Sequence, residues 1–215
     1  MILSDNIATL IHDIKTPVIA QERILDMLLN NAFGELNEAQ AQIISQVKDS
    51  CKYLHNIVYS AMNLYKEHQQ GIKLNVETFS MGQLLKEVCI ELEGLARLNN
   101  QTFKIDLQKC EVKGDVFQIK RVLINIISNA IKYSKKDSSI EIYVKNTEGK
   151  LLFMVKNHSR QAVDTAKIFN KFESTTNSGL GLYLVNQVIE AHGGCVFAKS
   201  EGENKYCIGF VIPNI

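Results

Sequence analysis

The chain has no pair of cysteines at CxxC spacing, no apolar run of membrane-spanning length, no internal repeat and no low-complexity tract. Its net charge is only +1. Each absence excludes something. Near neutrality argues against the broad basic footprint of a nucleic-acid binder. No helix-length apolar run means no spanning segment within these residues, and no signal peptide is recognisable. Cys51, Cys89, Cys110, Cys195 and Cys207 are odd in number and scattered. They read as small buried hydrophobes in a reducing, cytoplasmic setting, not as a disulfide frame or zinc site. What remains is 215 residues of 46% hydrophobic content, enough for one large domain or two small ones.

Proline is scarce too, with two in all. One of them, Pro17, stands inside IATLIHDIKTPVIA. Apolar residues at Ile7, Ile11, Ile14, Val18, Leu25 and Leu28, with Gln21 in the remaining slot, keep a heptad rhythm straight through it. A second series runs Ile44, Val47, Cys51, Leu54, Val58, Ala61 and Tyr65. Turn formers lie between the two, with Asn37 as an N-cap. Residues 4–68 therefore read as a helical hairpin. Two narrow seams are poorly buried by one hairpin, so a homodimer forming a four-helix bundle is the expected solution.

The polar stretch HQQGIKLNVETFS marks a boundary, giving domains at 1–70 and 78–215. The second domain reads as helix from Ser80, strand QTFKIDLQ, and long helix DVFQIKRVLINIISNAIKYS. Two strands follow around Glu148-Gly149, then a helix after a glycine pair, then strands CVFAKS and YCIGFVIP. The fold class is α+β: a helical hairpin followed by an α/β sandwich with antiparallel-looking strands and helices on one face.

Three places offer chemistry. His12 and Asp13 stand one turn before Pro17. Either a helix simply begins at Pro17 with Thr16 as N-cap, or a bent helix presents a nucleophilic imidazole with an acid to orient it or take its proton. Asn125 and Asn129 share a helix face among apolar neighbours, extended by Lys132 and Tyr133. They form a solvent-facing stripe or meet a polar ligand, and amide oxygens beside a lysine suit Mg²⁺ and phosphate. Gly179 and Gly181 precede a helix, as an ordinary turn or an anion cradle.

In this order, the three segments resemble the catalytic core of bacterial sensor histidine kinases. IHDIKTPV is similar to the phosphoacceptor box, VLINIISNAIKYS to the asparagine box, KIFNKFE to the phenylalanine box and SGLGLYLV to the second glycine box. The resemblance implies that His12 is phosphorylated from Mg-ATP and that Asp13 activates it. It implies that Thr16 positions water for dephosphorylating a response-regulator partner. Asn129 would bind Mg²⁺ with support from Asn125. Lys132 and Tyr133 would line the phosphate and sugar region, and Gly179 and Gly181 would approach the phosphates. Pro17 would then be strain kept at a working site.

One box departs from the family. Where Asp-x-Gly-x-Gly is expected, the chain reads MVKNHSRQA. Asn157 replaces the aspartate that accepts from the adenine amino group, and Ser159 replaces the first glycine. A neutral amide oxygen still accepts, but less strongly than a carboxylate. The lid is short, with only Glu173 to Ser178 between Phe172 and Gly179. Two functions follow: an active kinase serving a response regulator, or a fold that has lost productive ATP binding and acts as phosphotransfer protein, phosphatase or scaffold. Another ATPase of the superfamily is disfavoured by the histidine hairpin.

Overall fold

The computed structural model describes residues 2–51, 71–160, 164–165, 167–169, 181–202 and 204–214, with backbone alone for 2–15. The expectations for Leu54 to Tyr65, for most of the phenylalanine box, for the lid and for Gly179 lie outside the described residues. The chain divides into two compact units, Met1–Gly71 and Ile72–Ile215.

In the first unit, α1 (Ile2–Leu29) runs unbroken through Pro17. The reading in which a helix starts at Pro17 is therefore set aside. The missing N–H and the ring clash cost about 3 kcal/mol, which the rest of the helix must offset. α1 ends by a left-handed residue: Asn31 has φ 59. The Ala32 N–H reaches the Met27 carbonyl and the Asn31 N–H that of Leu28, satisfying two orphan acceptors. α2 then runs over 38–51. Its start is a reciprocal cap, in which Asn37 Oδ1 accepts from the Gln40 N–H at 2.9 Å and Gln40 Oε1 from the Asn37 N–H at 3.0 Å. The helices are antiparallel, tied by the Asp26–Lys48 ion pair and by the Cys51 thiol on Gln21 Oε1 at 3.9 Å.

The second unit contains β1 (Glu77–Ser80), α3 (Met81–Arg97), β2 (Thr102–Leu107), β3 (Glu111–Gly114) and α4 (Val116–Tyr133). β4 (Ser139–Thr147), β5 (Lys150–His158), α5 (Gly181–Ala191), β6 (Cys195–Ser200) and β7 (Lys205–Pro213) complete it. The main sheet has the order β2-β4-β5-β7-β6. It is mixed, because β2 pairs parallel with β4 while the other pairs are antiparallel. The chain leaves β2 and returns to β4 only after β3 and α4, so the two strands enter from the same end. A small antiparallel sheet of β1 and β3 was not legible as strand: ETFS and EVKG are too short to show alternation.

Alternation elsewhere sorts the core. Ile140, Ile142 and Val144 of β4, Leu151 and Phe153 of β5, and Phe210 and Ile212 of β7 are wholly buried on one face. Register pairs Val144 with Phe153 and Phe153 with Phe210. The two phenylalanine rings stack at 5.2 Å. α4 contributes Ile119, Val122, Leu123, Ile126, Ile127, Ala130 and Ile131 to the same layer. The β4–β5 turn places Glu148 and Gly149 at φ 53 and 71, the left-handed pair of a tight hairpin.

All five cysteines are free. Three of them, Cys51, Cys89 and Cys207, are buried as expected. Cys110 is half-buried and Cys195 exposed. Cys195 opens β6 opposite Val211, on the face of the sheet away from Phe210, Ile212 and the helix layer.

Candidate functional site

α4 carries most of the second unit's candidate residues, and both its ends are pinned. At its start, Asp115 Oδ1 accepts from the Gln118 N–H at 3.0 Å, a helix N-cap. Its Oδ2 accepts from the Asn75 N–H at 2.9 Å. His192, from the segment after α5, accepts the Asp115 N–H on Nε2 at 3.0 Å and uses Nδ1 against the Val188 carbonyl at 2.8 Å. The ring thus ties the start of α4 to the end of α5.

At its end, α4 is tied to the altered glycine box. The side chain of Gln101 donates to the carbonyls of Ile131 and Lys135, each at 3.1 Å. Lys135 N–H reaches the His158 carbonyl at 2.8 Å, and Arg160 N–H that of Tyr133 at 3.0 Å. Ser134 and Ser159 form a β-bridge between these bonds. The Ser159 N–H also reaches the Asn204 carbonyl at 2.7 Å. The segment that takes the place of a glycine loop is thus an extension of β5, fixed on both sides.

On the middle of α4, Asn125 gives Nδ2 to the Arg121 carbonyl at 2.8 Å, which leaves Oδ1 as its acceptor. The first residue of α5 approaches it closely: a Cβ added to Gly181 would lie 2.7 Å from that oxygen. Only glycine fits there without a shift. Asn129 is half-buried one turn further on, and its amide has no hydrogen-bond partner among the described residues. Lys132 is exposed, with its ammonium 5.5 Å from the centre of the half-buried Tyr133 ring. The structure therefore brings Asn125 and Gly181 together, and the same helix continues to Asn129, Lys132 and Tyr133.

Asn157 lies one residue before the end of β5, on the buried face, and donates Nδ2 to Ser134 Oγ at 3.0 Å. Ser134 is fully buried, and its hydroxyl donates to the Ala130 carbonyl. A hydroxyl has one proton. Since Ser134 gives it to Ala130, it can only accept from Asn157. The amide orientation is thereby fixed, and Oδ1 is left as the acceptor. Ser134 was not foreseen as a site residue; the signal for it is a serine directly after the asparagine helix, where a hydroxyl can turn back to the last carbonyls.

In the first unit, His12 and Asp13 lie on the α1 backbone one turn before Pro17, and Thr16 is exposed. Among the described residues no cluster of three or more His, Cys, Asp or Glu could hold a metal. No helix there is long and apolar enough to cross a membrane.

Residues 114–214 match the histidine kinase-, DNA gyrase B- and HSP90-like ATPases. This stretch is a domain of that family. The circadian input-output histidine kinase CikA of Synechococcus elongatus is 28% identical over 208 residues, which cover 90% of this chain and 28% of CikA. The chain thus spans little more than a quarter of that relative. Full-length ShkA in complex with AMPPNP superposes with a TM-score of 0.81 at 21% identity, covering 98% of this chain and 46% of ShkA. The histidine kinase ThkA in complex with the response regulator protein TrrA gives 0.70 at 23% identity, over 99% of this chain and 64% of that one. At these identities the two structures show a shared fold.

Proposed function

We propose that the chain is the catalytic core of a two-component sensor histidine kinase, acting in the cytoplasm as a homodimer. One observation carries the reading. A helix that continues through Pro17 bears His12 and Asp13, and the same chain holds an ATPase-family domain at 114–214. In the proposed reaction the neutral His12 Nε2 forms a bond to the γ-phosphorus of ATP as the bond to the β-phosphate oxygen breaks, releasing ADP. Asp13 orients the ring and relieves it of its proton. The phosphoryl group then passes to a carboxylate oxygen of a receiver-domain aspartate on a response regulator. Thr16, exposed on the same helix, would position water to hydrolyse the regulator's aspartyl phosphate, releasing inorganic phosphate.

The α4 residues fit a nucleotide with its metal. Asn129 has a half-buried amide without a protein partner among the described residues, and Asn125 presents an oxygen beside Gly181. Such neutral oxygens suit Mg²⁺, which keeps waters and takes phosphates as its other ligands. A Mg²⁺ held by these amide oxygens would supply positive charge against the phosphates during the transfer. Lys132 and Tyr133 would border the phosphates and sugar, Gly179 and Gly181 would give backbone access, and Asn157 Oδ1 would accept from the adenine amino group. Homodimer formation is supported by Ile24, Met27, Ile43 and Val47, which lie 46–61% exposed on the single hairpin.

A second reading has its own observation: Asn157 is neutral and Ser159 is locked in a bridge where the family has glycine. In that reading the chain binds no ATP productively, and His12 only exchanges phosphate with a regulator. Incubation of the folded chain with Mg-ATP separates the two. We expect acid-labile phosphate on His12, lost in His12→Gln. Labelling of His12 solely from a phosphorylated receiver domain, with no calorimetric signal for ATP, would establish the second reading instead.

A further inference from the structure

β2 (Thr102–Leu107) ends one side of the main sheet, and no strand among the described residues pairs with its outer edge. The direction of its backbone groups can be read from its ends. The N–H of Thr102 reaches the Ser138 carbonyl, and that of Gln108 the Val144 carbonyl. Both point inward, towards β4. Successive residues of a strand alternate, so Lys104 and Asp106 also bond inward. Phe103, Ile105 and Leu107 then offer their N–H and C=O groups outward.

The same three residues present their side chains on the helix face, in register with Ile140, Ile142 and Val144. Between them and α3 lies an apolar groove of about 370 Å³, to which Leu85, Cys89 and Ile90 contribute. Ile90 is 63% exposed and Ile105 46% exposed. A free edge beside an apolar groove is a template for an added strand.

We infer that the strand it takes is β2 of a second copy, antiparallel about a two-fold axis through Ile105. The segment TFKIDL is self-complementary in that register. Ile105 faces Ile105 of the partner subunit, and Phe103 faces the partner's Leu107. These are outward-pointing residues, so they form the hydrogen-bonded pairs. Lys104 faces the partner's Asp106 at the intervening positions, where strands come closest and cross-strand charges interact best. The two-fold repeats that pair. A register shifted by two residues would lose both the charge match and an outward pair. An unrelated peptide would have no reason to match this alternation of charges, and for that reason a second copy is the occupant.

The contact is tested on the whole chain by sedimentation across a concentration series, together with amide hydrogen exchange. Any association made by the hairpin is common to all variants. Lys104→Asp sets like charges opposite each other twice, and we expect it to weaken this association about tenfold. Lys104→Asp combined with Asp106→Lys swaps the pairs and restores it. Ile105→Pro removes an outward N–H without touching the ladder to β4, and abolishes it. With rising concentration the amides of Phe103, Ile105 and Leu107 gain protection, while those of Lys104 and Asp106 are protected throughout. Association unchanged by the single charge reversal, or failure of the swap to restore it, overturns the inference. So does protection of the three outward amides that is independent of concentration, or that arises only when a foreign apolar strand peptide is added.

Discussion

The hairpin and the sheet-bearing unit are made of similarly apolar sequence, yet they differ in how far each closes upon itself. Among the described side chains of the hairpin, only Val18 and Cys51 are buried hydrophobes. Ile24, Met27, Phe33, Ile43 and Val47 remain exposed. In the other unit α4 alone buries seven side chains, and the sheet beneath it is wholly shielded at Ile142, Phe153 and Phe210. The difference follows from period. A heptad seam is one stripe wide and needs more than one neighbour to cover a helix. An alternating sheet face is covered completely by a layer of helices. One unit can therefore hold its structure as a single copy, while the hairpin leaves apolar side chains uncovered among its described residues.

The largest break in that comparison comes from the closed unit. Phe153→Ala removes a ring with no exposure that stacks on Phe210. The cavity is expected to cost about 3–5 kcal/mol. Hydrogen exchange should show β4, β5 and β7 losing protection together while the α1 amides of the hairpin keep theirs. Loss of protection in both units to the same degree would mean that they fold as one. A charge on the open unit should act differently. Met27→Glu places a carboxylate on a residue 46% exposed, so the hairpin itself should fold. Its cost should appear in association, as a dissociation constant raised about tenfold or more, about 1.4 kcal/mol, in sedimentation.

Much of this was legible in residues whose signals are local. The Asn37 cap, the Ser80 cap and the Glu148-Gly149 turn each depend on two or three neighbours, and the side chain of Ser80 does accept from the Gln83 N–H. The heptad through Pro17 correctly outweighed the usual meaning of proline. The grouping of Asn125 with Gly181 followed from motif order, though their 2.7 Å approach came only with the fold. What sequence hid was non-local. The parallel pairing of β2 with β4 depends on where the chain goes between them. Ser134 gains its role from Asn157, twenty-three positions away and on another element. Cys195 looked buried because cysteine usually is, and its exposure is decided by the register that sets it on the sheet face away from the helices.

Within the closed unit, Ser134→Ala tests whether the proposed adenine acceptor, Asn157, is ordered by a single hydroxyl. The substitution leaves Asn157 Nδ2 without its acceptor in a buried place. A loss of about 1–3 kcal/mol in denaturant unfolding is expected. The amide would also be free to rotate and offer either its oxygen or its nitrogen. ATP should then bind more weakly and be less well distinguished from GTP, whose base carries a carbonyl in place of the amino group. A variant with reduced stability but unchanged nucleotide preference would limit Ser134 to packing.

The thiols sharpen the comparison at the smallest scale, because each unit buries at least one cysteine. Cys89 lies in α3 against the sheet, and burial pushes its thiol up from 9.0 to about 11. The folded state thus holds the proton more tightly than the unfolded chain. Stability from this group is complete below pH 9.0 and falls as pH rises towards 11. At pH 8 a thiol reagent should find Cys195 first, since it is exposed, and Cys89 last, since its thiolate is scarce and covered. Cys51 lies in the hairpin, its thiol beside Gln21. Its labelling should fall between the two, slow as protein concentration rises, and quicken in Met27→Glu. A Cys51 rate equal to that of Cys89 at every concentration would mean that the hairpin is as closed as the sheet unit, and the contrast between them would be lost.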